Sequence, residues 1–435
     1  MGGGVLGLTL AHRLAESGAH VTLYDAADRV GGLAAPWQLG PITWDRHYHV
    51  TLLSDERTRR MYESIGITED QLRWVETRTG YYGPDERLRS ATTPLDQLRL
   101  PGLSLLDKAR LGATVLYGSR IRRGVRMERV SVERWLRRWS GGSAFEAFWR
   151  PLLRAKLGDA YTRASAAFIW STIQRLYAAR RMGLVERFGY VSGGYATVAA
   201  AFEQTLGDAG VELRLSTPVR ALRRDPAGGV RIEVDGESPA HVDRAFVTTA
   251  APIAARLCPD LLPGERRRLE AVEYVGIVCV SLLLRRPLAD YYLTYITDPA
   301  TPFTAVVEMT ALVDPVELDG HALVYLPKYT TAEDPLFRAD DDVVVADMLS
   351  YLKKMYPGFE DDDVVAARVS RVPQVFAVPT LGYSERMPSL TTSVPGLHLA
   401  GSAQLPFATL NVNDTLSLVD DVLGAARLDD IEVPA

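Results

Sequence analysis

Cysteine and lysine are scarce in this chain, and long apolar runs are absent. Only Cys258 and Cys279 occur among 435 residues. Two are too few for a disulfide framework or a cysteine-based metal centre, so no metal is expected. Both read as small buried hydrophobes in a reducing compartment. Lysine stands only at positions 108, 156, 328, 353 and 354, and arginine supplies the remaining positive charge. That bias reads as genome composition before it reads as selection for gripping anions. No stretch approaches the ~20 apolar residues of a membrane span. The longest run, Val275 to Leu284, is rich in β-branched residues and reads as a buried strand. A net charge of −5 gives no global reason to expect nucleic acid as a partner. No secretory leader precedes the opening glycines, so a cytoplasmic location is expected, with peripheral membrane contact left open.

What the chain does contain is length and alternating texture. It is too long for one ordinary core, so two or more packed units are expected. Residues 1–75 begin as glycine turn, helix and strand, with a further helix near 54–66 that Ser54 or Asp55 can cap. Residues 76–188 turn mostly helical after short strands, and Ser104 with Asp107 forms a capping-box pattern. Residues 189–265 return to α/β texture, 266–380 are dominated by strands with one helix near 340–356, and 381–435 end as strand, loop and helix. The expected fold is therefore α/β: a nucleotide domain assembled from residues 1–75, 189–265 and 381–435. An α+β substrate domain is inserted as 76–188 and 266–380.

The chemistry begins at the first residues. Gly2, Gly4 and Gly7 match the G-x-G-x-x-G pattern. The first glycine permits a tight turn, the second a close approach of backbone to pyrophosphate, and the third helix-on-strand packing. The helix that follows points its N-terminal dipole at the phosphates. Asp25 stands at the end of the next strand, where a carboxylate accepts hydrogen bonds from a ribose diol. Together these features predict a Rossmann-type dinucleotide site.

Directly after the acid comes Asp28-Arg29-Val30-Gly31-Gly32. Here the sequence resembles the flavoprotein superfamily of amine oxidases, protoporphyrinogen oxidases and phytoene desaturases, and the resemblance extends over most of the chain. It implies FAD as the cofactor, with Arg29, Gly31 and Gly32 wrapping its diphosphate. Trp44-Asp45-Arg46-His47-Tyr48-His49 is similar to a segment that lies near the isoalloxazine in that group. Ser192-Gly193-Gly194 resembles the double glycine opening the second half of the FAD domain. Val219 falls where a valine backbone meets adenine, and Gly401 ends the last FAD strand. Ser402 takes the place of the usual aspartate there, a weaker hydrogen-bonding substitute. Asn413 or Asp414 caps the final helix, whose start is implied to face the flavin C2 carbonyl. The resemblance also implies an apolar strand just before the glycines. Its absence leads to the expectation that the natural chain starts several residues upstream or that FAD binding is weakened.

No Ser-His-Asp order and no second dinucleotide fingerprint are apparent, so direct reduction of the flavin by a small-molecule substrate is the simplest scheme. The catalytic candidates are His47 and His49, imidazoles that take up a proton near neutral pH, and Lys328, since some relatives hold a lysine near flavin N5. Each equally fits a bland role, the histidines as pocket-shaping groups and the lysine as surface charge. The implied activity is an FAD-dependent oxidoreductase removing a hydride from a C–N or C–C centre of a small organic or lipid substrate. Two rivals stand beside it. One is a flavin-dependent isomerase resembling UDP-galactopyranose mutase, which also carries paired histidines. The other is a degenerate flavoprotein without catalysis.

Overall fold

The sequence Tyr274–Leu284 forms the strand that the second half of the chain is built on. The computed structural model describes the chain except residues 94, 95, 97, 98, 100, 181–186, 406, 408–410 and 428–435. In it, Tyr274–Leu284 pairs antiparallel with Ala322–Thr330 on one side and Val364–Ala377 on the other. The sheet continues through Ala305–Glu308, Leu293–Ile296, Thr79–Tyr82 and Leu88–Ser90 to seven strands. Only Leu293–Ile296 with Thr79–Tyr82 runs parallel in it. The central strand is apolar at nearly every position because both of its faces are covered. Val275, Ile277, Cys279 and Leu283 face one core, which the helices Val132–Ser140, Arg150–Leu157 and Ala166–Arg180 close. Val278, Val280, Leu282 and Leu284 face another. The helix Asp341–Met355 covers that second face with Val344, Met348, Leu352 and Met355, spaced along one helical stripe. Each side chain so buried contributes about 1.5–3 kcal/mol.

The glycine loop belongs to a Rossmann-type arrangement. Thr22–Tyr24 pairs parallel with Glu212–Arg214, and Ala245–Val247 pairs parallel with Leu397–Leu399. Residues 1 and 2 link the two pairs: Gly2 N–H donates to Tyr24 O at 2.9 Å and Thr248 N–H donates to Met1 O at 2.9 Å. Three helices far apart in sequence share one core beside these strands. Val5–Glu16 provides Leu6 and Leu10, Gly194–Asp208 provides Val198 and Phe202, and Val412–Ala425 provides Val419 and Val422. The discontinuity expected from texture is thus present as a shared apolar core.

Several local expectations change. The strand Ala322–Thr330 carries Lys328 and Tyr329 within it. Val364–Ala377, fourteen residues that pair with the central strand, has no counterpart among the expected elements. Its arginines and proline break the apolar alternation, and pairing with Tyr274–Leu284 outweighs that weak local signal. Pro36–Leu39 and Ile42–Asp45 form a hairpin that was also not expected. Both cysteines are free and buried, as their scarcity suggested.

Candidate active site

The cradle is made where two glycine turns meet. The helix Val5–Glu16 starts at Gly4 with no side-chain cap, so its first N–H groups are left for a ligand. Gly31 N–H donates to Gly3 O at 2.7 Å and ties the second turn to the first. A Cβ on Gly32 would stand 3.0 Å from Gly4 Cα, and one on Gly7 would stand 1.9 Å from Gly2 O. A Cβ on Gly4, by contrast, finds only Gly32 Cα, at 4.0 Å, so open space lies in front of it. Asp25 holds the turn with both oxygens, Oδ2 accepting from Gly3 N–H at 2.5 Å and Oδ1 from Ala27 N–H at 2.8 Å. The lone pairs left over are what a ribose diol would use. Thr217 N–H donates to Asp25 O at 2.9 Å, which brings the Val219 segment beside the acid. Arg29 is exposed and paired with Asp28 at 3.1 Å. At the far strand, a Cβ on Gly401 would lie 2.9 Å from Thr249 O, and Ser402 opens the short turn Ser402–Gln404 that follows.

From the cradle the hairpin carries the chain to the large sheet. Asp45, at its end, is buried and accepts from Tyr195 N–H at 2.7 Å, so this carboxylate caps the helix Gly194–Asp208 from a distant segment. Its backbone oxygen accepts from Tyr325 OH at 2.5 Å, which pins the hairpin end to the sheet. His47 Nε2 lies 3.3 Å from Ser370 Oγ. Burial, and then the neighbouring His49 and Arg46 charges, push the His47 pKa down to about 3. Tyr48 and Tyr329 share a hydrogen bond at 3.0 Å, and Lys156 Nζ sits 4.3 Å over the Tyr329 ring. His49 packs against Tyr195 with ring centroids 4.7 Å apart and the rings tilted by 48°, and has Asp45 Oδ2 3.6 Å from its Nδ1.

Buried polar atoms without a partner gather on this path. They include Trp44 Nε1, Arg46 Nε and His47 Nδ1, all within one short stretch, and Thr249 Oγ1 beside Gly401. Buried polar groups are nearly always satisfied, so such a row marks where a polar ligand fits. The open space before Gly4 and this row of orphaned atoms together fit a dinucleotide that runs from the glycine turns to the histidine segment.

Two candidates fall elsewhere. Lys328 pairs with Val278, so it shares the face of the sheet that the helix Asp341–Met355 covers. The strand period of two separates it from Tyr329 and Tyr325, which lie on the His47 side. The lysine on that side is Lys156. Asn413 does not cap its own helix; Asn411 does, accepting from Asp414 N–H at 2.9 Å. Asn413 Oδ1 instead accepts from Arg57 N–H at 2.9 Å and Thr58 N–H at 3.4 Å, and so caps the helix Glu56–Ser64. The expected cap Asp55 is turned away, toward Leu52 N–H at 2.9 Å and Arg175 at 3.1 Å. Ser370 and Tyr329 carried no motif. Only their strand register reveals them. Among the described residues no helix is long and apolar enough to cross a membrane, and no group of three metal-ligating side chains is present.

The chain is similar over nearly its whole length to solved flavoprotein structures. A proposed protoporphyrinogen oxidase from Exiguobacterium aligns with 20% identity and a TM-score of 0.78, covering 99% of this chain and 98% of that one. A reduced UDP-galactopyranose mutase aligns with 16% identity and a TM-score of 0.75, covering 99% and 95%. Putrescine oxidase aligns with 15% identity and a TM-score of 0.71, covering 98% of each. At these identities the likeness is one of fold. No curated protein matches the sequence. The family model for flavin containing amine oxidoreductases matches residues 7–406. The chain therefore belongs to the flavin containing amine oxidoreductases, and it is an FAD-dependent oxidoreductase.

Proposed function

We propose that this enzyme removes a hydride from a C–N or C–C centre of a largely apolar small molecule and passes the electrons to oxygen or another acceptor. The observation that carries the reading is the wall where the histidine segment meets the large sheet. It is built of Tyr48, Tyr325, Tyr329, Phe376 and a His47 that burial keeps neutral. Hydroxyl groups and rings dominate it, with Lys156 over the Tyr329 ring and Arg46 beside His47 as the cations near it. Such a wall suits an apolar substrate better than a nucleotide sugar, whose pyrophosphate calls for paired cations. Bound FAD supplies a two-electron acceptor for the hydride.

The chain's own residues then have separate tasks. The residues proposed to hold FAD are Gly2, Gly4, Gly7, Asp25, Gly31, Gly32, Val219, Gly401 and Ser402. The tyrosine wall excludes water and orients the substrate. His47, neutral at physiological pH, offers a hydrogen bond without charge. His49, with the Asp45 carboxylate behind Nδ1, is the imidazole placed to hold a proton. The test is anaerobic addition of apolar secondary amines and of long-chain hydrocarbon substrates to the FAD-loaded enzyme. Bleaching of the flavin absorbance is expected with one of these classes. Turnover of a nucleotide sugar by chemically reduced enzyme, without net oxidation and with no bleaching by either class, would overturn the reading in favour of isomerisation.

A further inference from the structure

The helix Leu105–Arg120 is apolar on both sides. Leu111, Thr114, Val115 and Gly118 form its inward stripe, against Trp135 and Ile173. Its outward arc consists of Leu105, Leu106, Ala109, Gly112, Ala113, Leu116 and Tyr117, all exposed, with Arg110 and Arg120 the charged groups among them. Leu105 is 78% exposed and Leu106 60%. A surface helix ordinarily turns a polar face to water. Trp139, itself exposed, packs against Tyr117 with ring centroids 4.2 Å apart, and extends the apolar surface onto the next helix.

The charge around this surface is predominantly positive. Residues 105–139 contain ten basic and three acidic side chains, in a protein whose net charge is −5. Arg120, Arg122, Arg123, Arg126, Arg134 and Arg138 are exposed, and none has a carboxylate partner among the described residues. Elsewhere the arginines of this chain are commonly paired, as at Arg214 with Glu237 and Arg286 with Asp363. An apolar face with leucine, tyrosine and tryptophan, rimmed by unpaired arginines, has the composition of an interfacial helix. A second copy of the chain is disfavoured as the occupant, because a two-fold contact would set these arginines against their own copies.

We propose that the outward face of Leu105–Arg120, with Trp139 and the surrounding arginines, docks this enzyme on the surface of an anionic lipid bilayer. The leucines and aromatic rings enter the headgroup boundary while the arginines pair with lipid phosphates and acidic headgroups. This is a claim about location and is independent of which substrate is oxidised.

The test is co-sedimentation of the FAD-loaded full chain with two kinds of vesicle. One is pure phosphatidylcholine; the other carries one-third phosphatidylglycerol. Binding is expected to the second and much less to the first, and it weakens at about 1 M salt, where charges are screened beyond about 3 Å. Arg122→Ala with Arg126→Ala lowers partitioning about 25-fold, at about fivefold per arginine near an anionic surface. Leu106→Ser with Leu116→Ser lowers binding to both vesicle types. These side chains are exposed, so flavin content and melting temperature stay at their wild-type values. Failure of the wild type to sediment with the anionic vesicles overturns the proposal, as does equal binding by the double arginine variant. So does a soluble dimer that Leu106→Glu separates while vesicles capture nothing.

Discussion

Replacing Gly7 with alanine tests the cradle at its tightest point. The new Cβ would stand 1.9 Å from Gly2 O and 3.0 Å from Thr248 Oγ1. Non-bonded carbon and oxygen do not approach so closely, so the turn must move. Gly2 is held by its N–H to Tyr24 O at 2.9 Å and by Thr248 Oγ1 donating to its carbonyl at 2.9 Å. Straining or losing these two bonds costs about 1 kcal/mol each, and overpacking adds about 1–3 kcal/mol. The protein without FAD relaxes by letting the turn swing away from Gly31 and Gly32. Binding FAD requires the turn back in place, so the cost appears in affinity. A total of about 3–5 kcal/mol corresponds to FAD binding weakened at least about a hundredfold. The control is Gly112→Ala, where a Cβ meets nothing within 4 Å. That change in a helix interior stabilises the fold by up to about 1 kcal/mol and leaves FAD alone. Titration of cofactor-free protein with FAD, followed by flavin fluorescence, measures both variants. Wild-type affinity in Gly7→Ala would refute the close packing of the first and third glycines.

Three further outcomes follow from the site. His47 is held neutral down to about pH 3, whereas an unfolded histidine protonates near its ordinary value of 6.5. Its contribution to stability is therefore complete above about pH 6.5 and falls as the pH is lowered, by roughly 2 kcal/mol at pH 5. His47→Gln is expected to flatten that part of the melting-temperature profile, and an unchanged acid slope would mean the imidazole is not buried neutral. Asn413→Ala removes the cap of Glu56–Ser64 and is expected to cost about 1 kcal/mol in denaturant unfolding. Because the cap is structural, FAD affinity in Asn413→Ala stays at the wild-type value, and a selective loss of FAD would restore Asn413 to the cofactor site. Lys328→Met leaves the anaerobic rate of flavin reduction unchanged, since its side chain shares the opposite face of the sheet with Val278. A large fall in that rate would contradict the strand register.

How much of this was legible beforehand depends on the reach of each interaction. The glycine spacing, Asp25 at the strand end and the Ser104–Asp107 capping box are relations within one turn or one βα unit. The local chain alone dictates them. The apolar run Val275 to Leu284 announces a doubly covered strand for the same reason. The hairpin Pro36–Leu39 with Ile42–Asp45 and the strand Val364–Ala377 were not legible, because pairing partners rather than propensity stabilise them.

The sequence by itself determined the dinucleotide turn and the layered α/β texture, because those follow from backbone sterics and apolar periodicity, while FAD in particular was implied by the resemblance to the flavoproteins. Tertiary structure alone decided which groups meet. Asp45 caps a helix that begins about 150 residues later, and Asn413 caps one that lies about 350 residues earlier. Tyr48 finds Tyr329 across 281 positions, while Lys328, one residue away on the same strand, faces the other core. The physical reason is that strand parity and helix facing are set by which apolar surface is buried. A one-residue step turns a side chain from one core to the other, and only the folded sheet decides which of the two holds the chemistry.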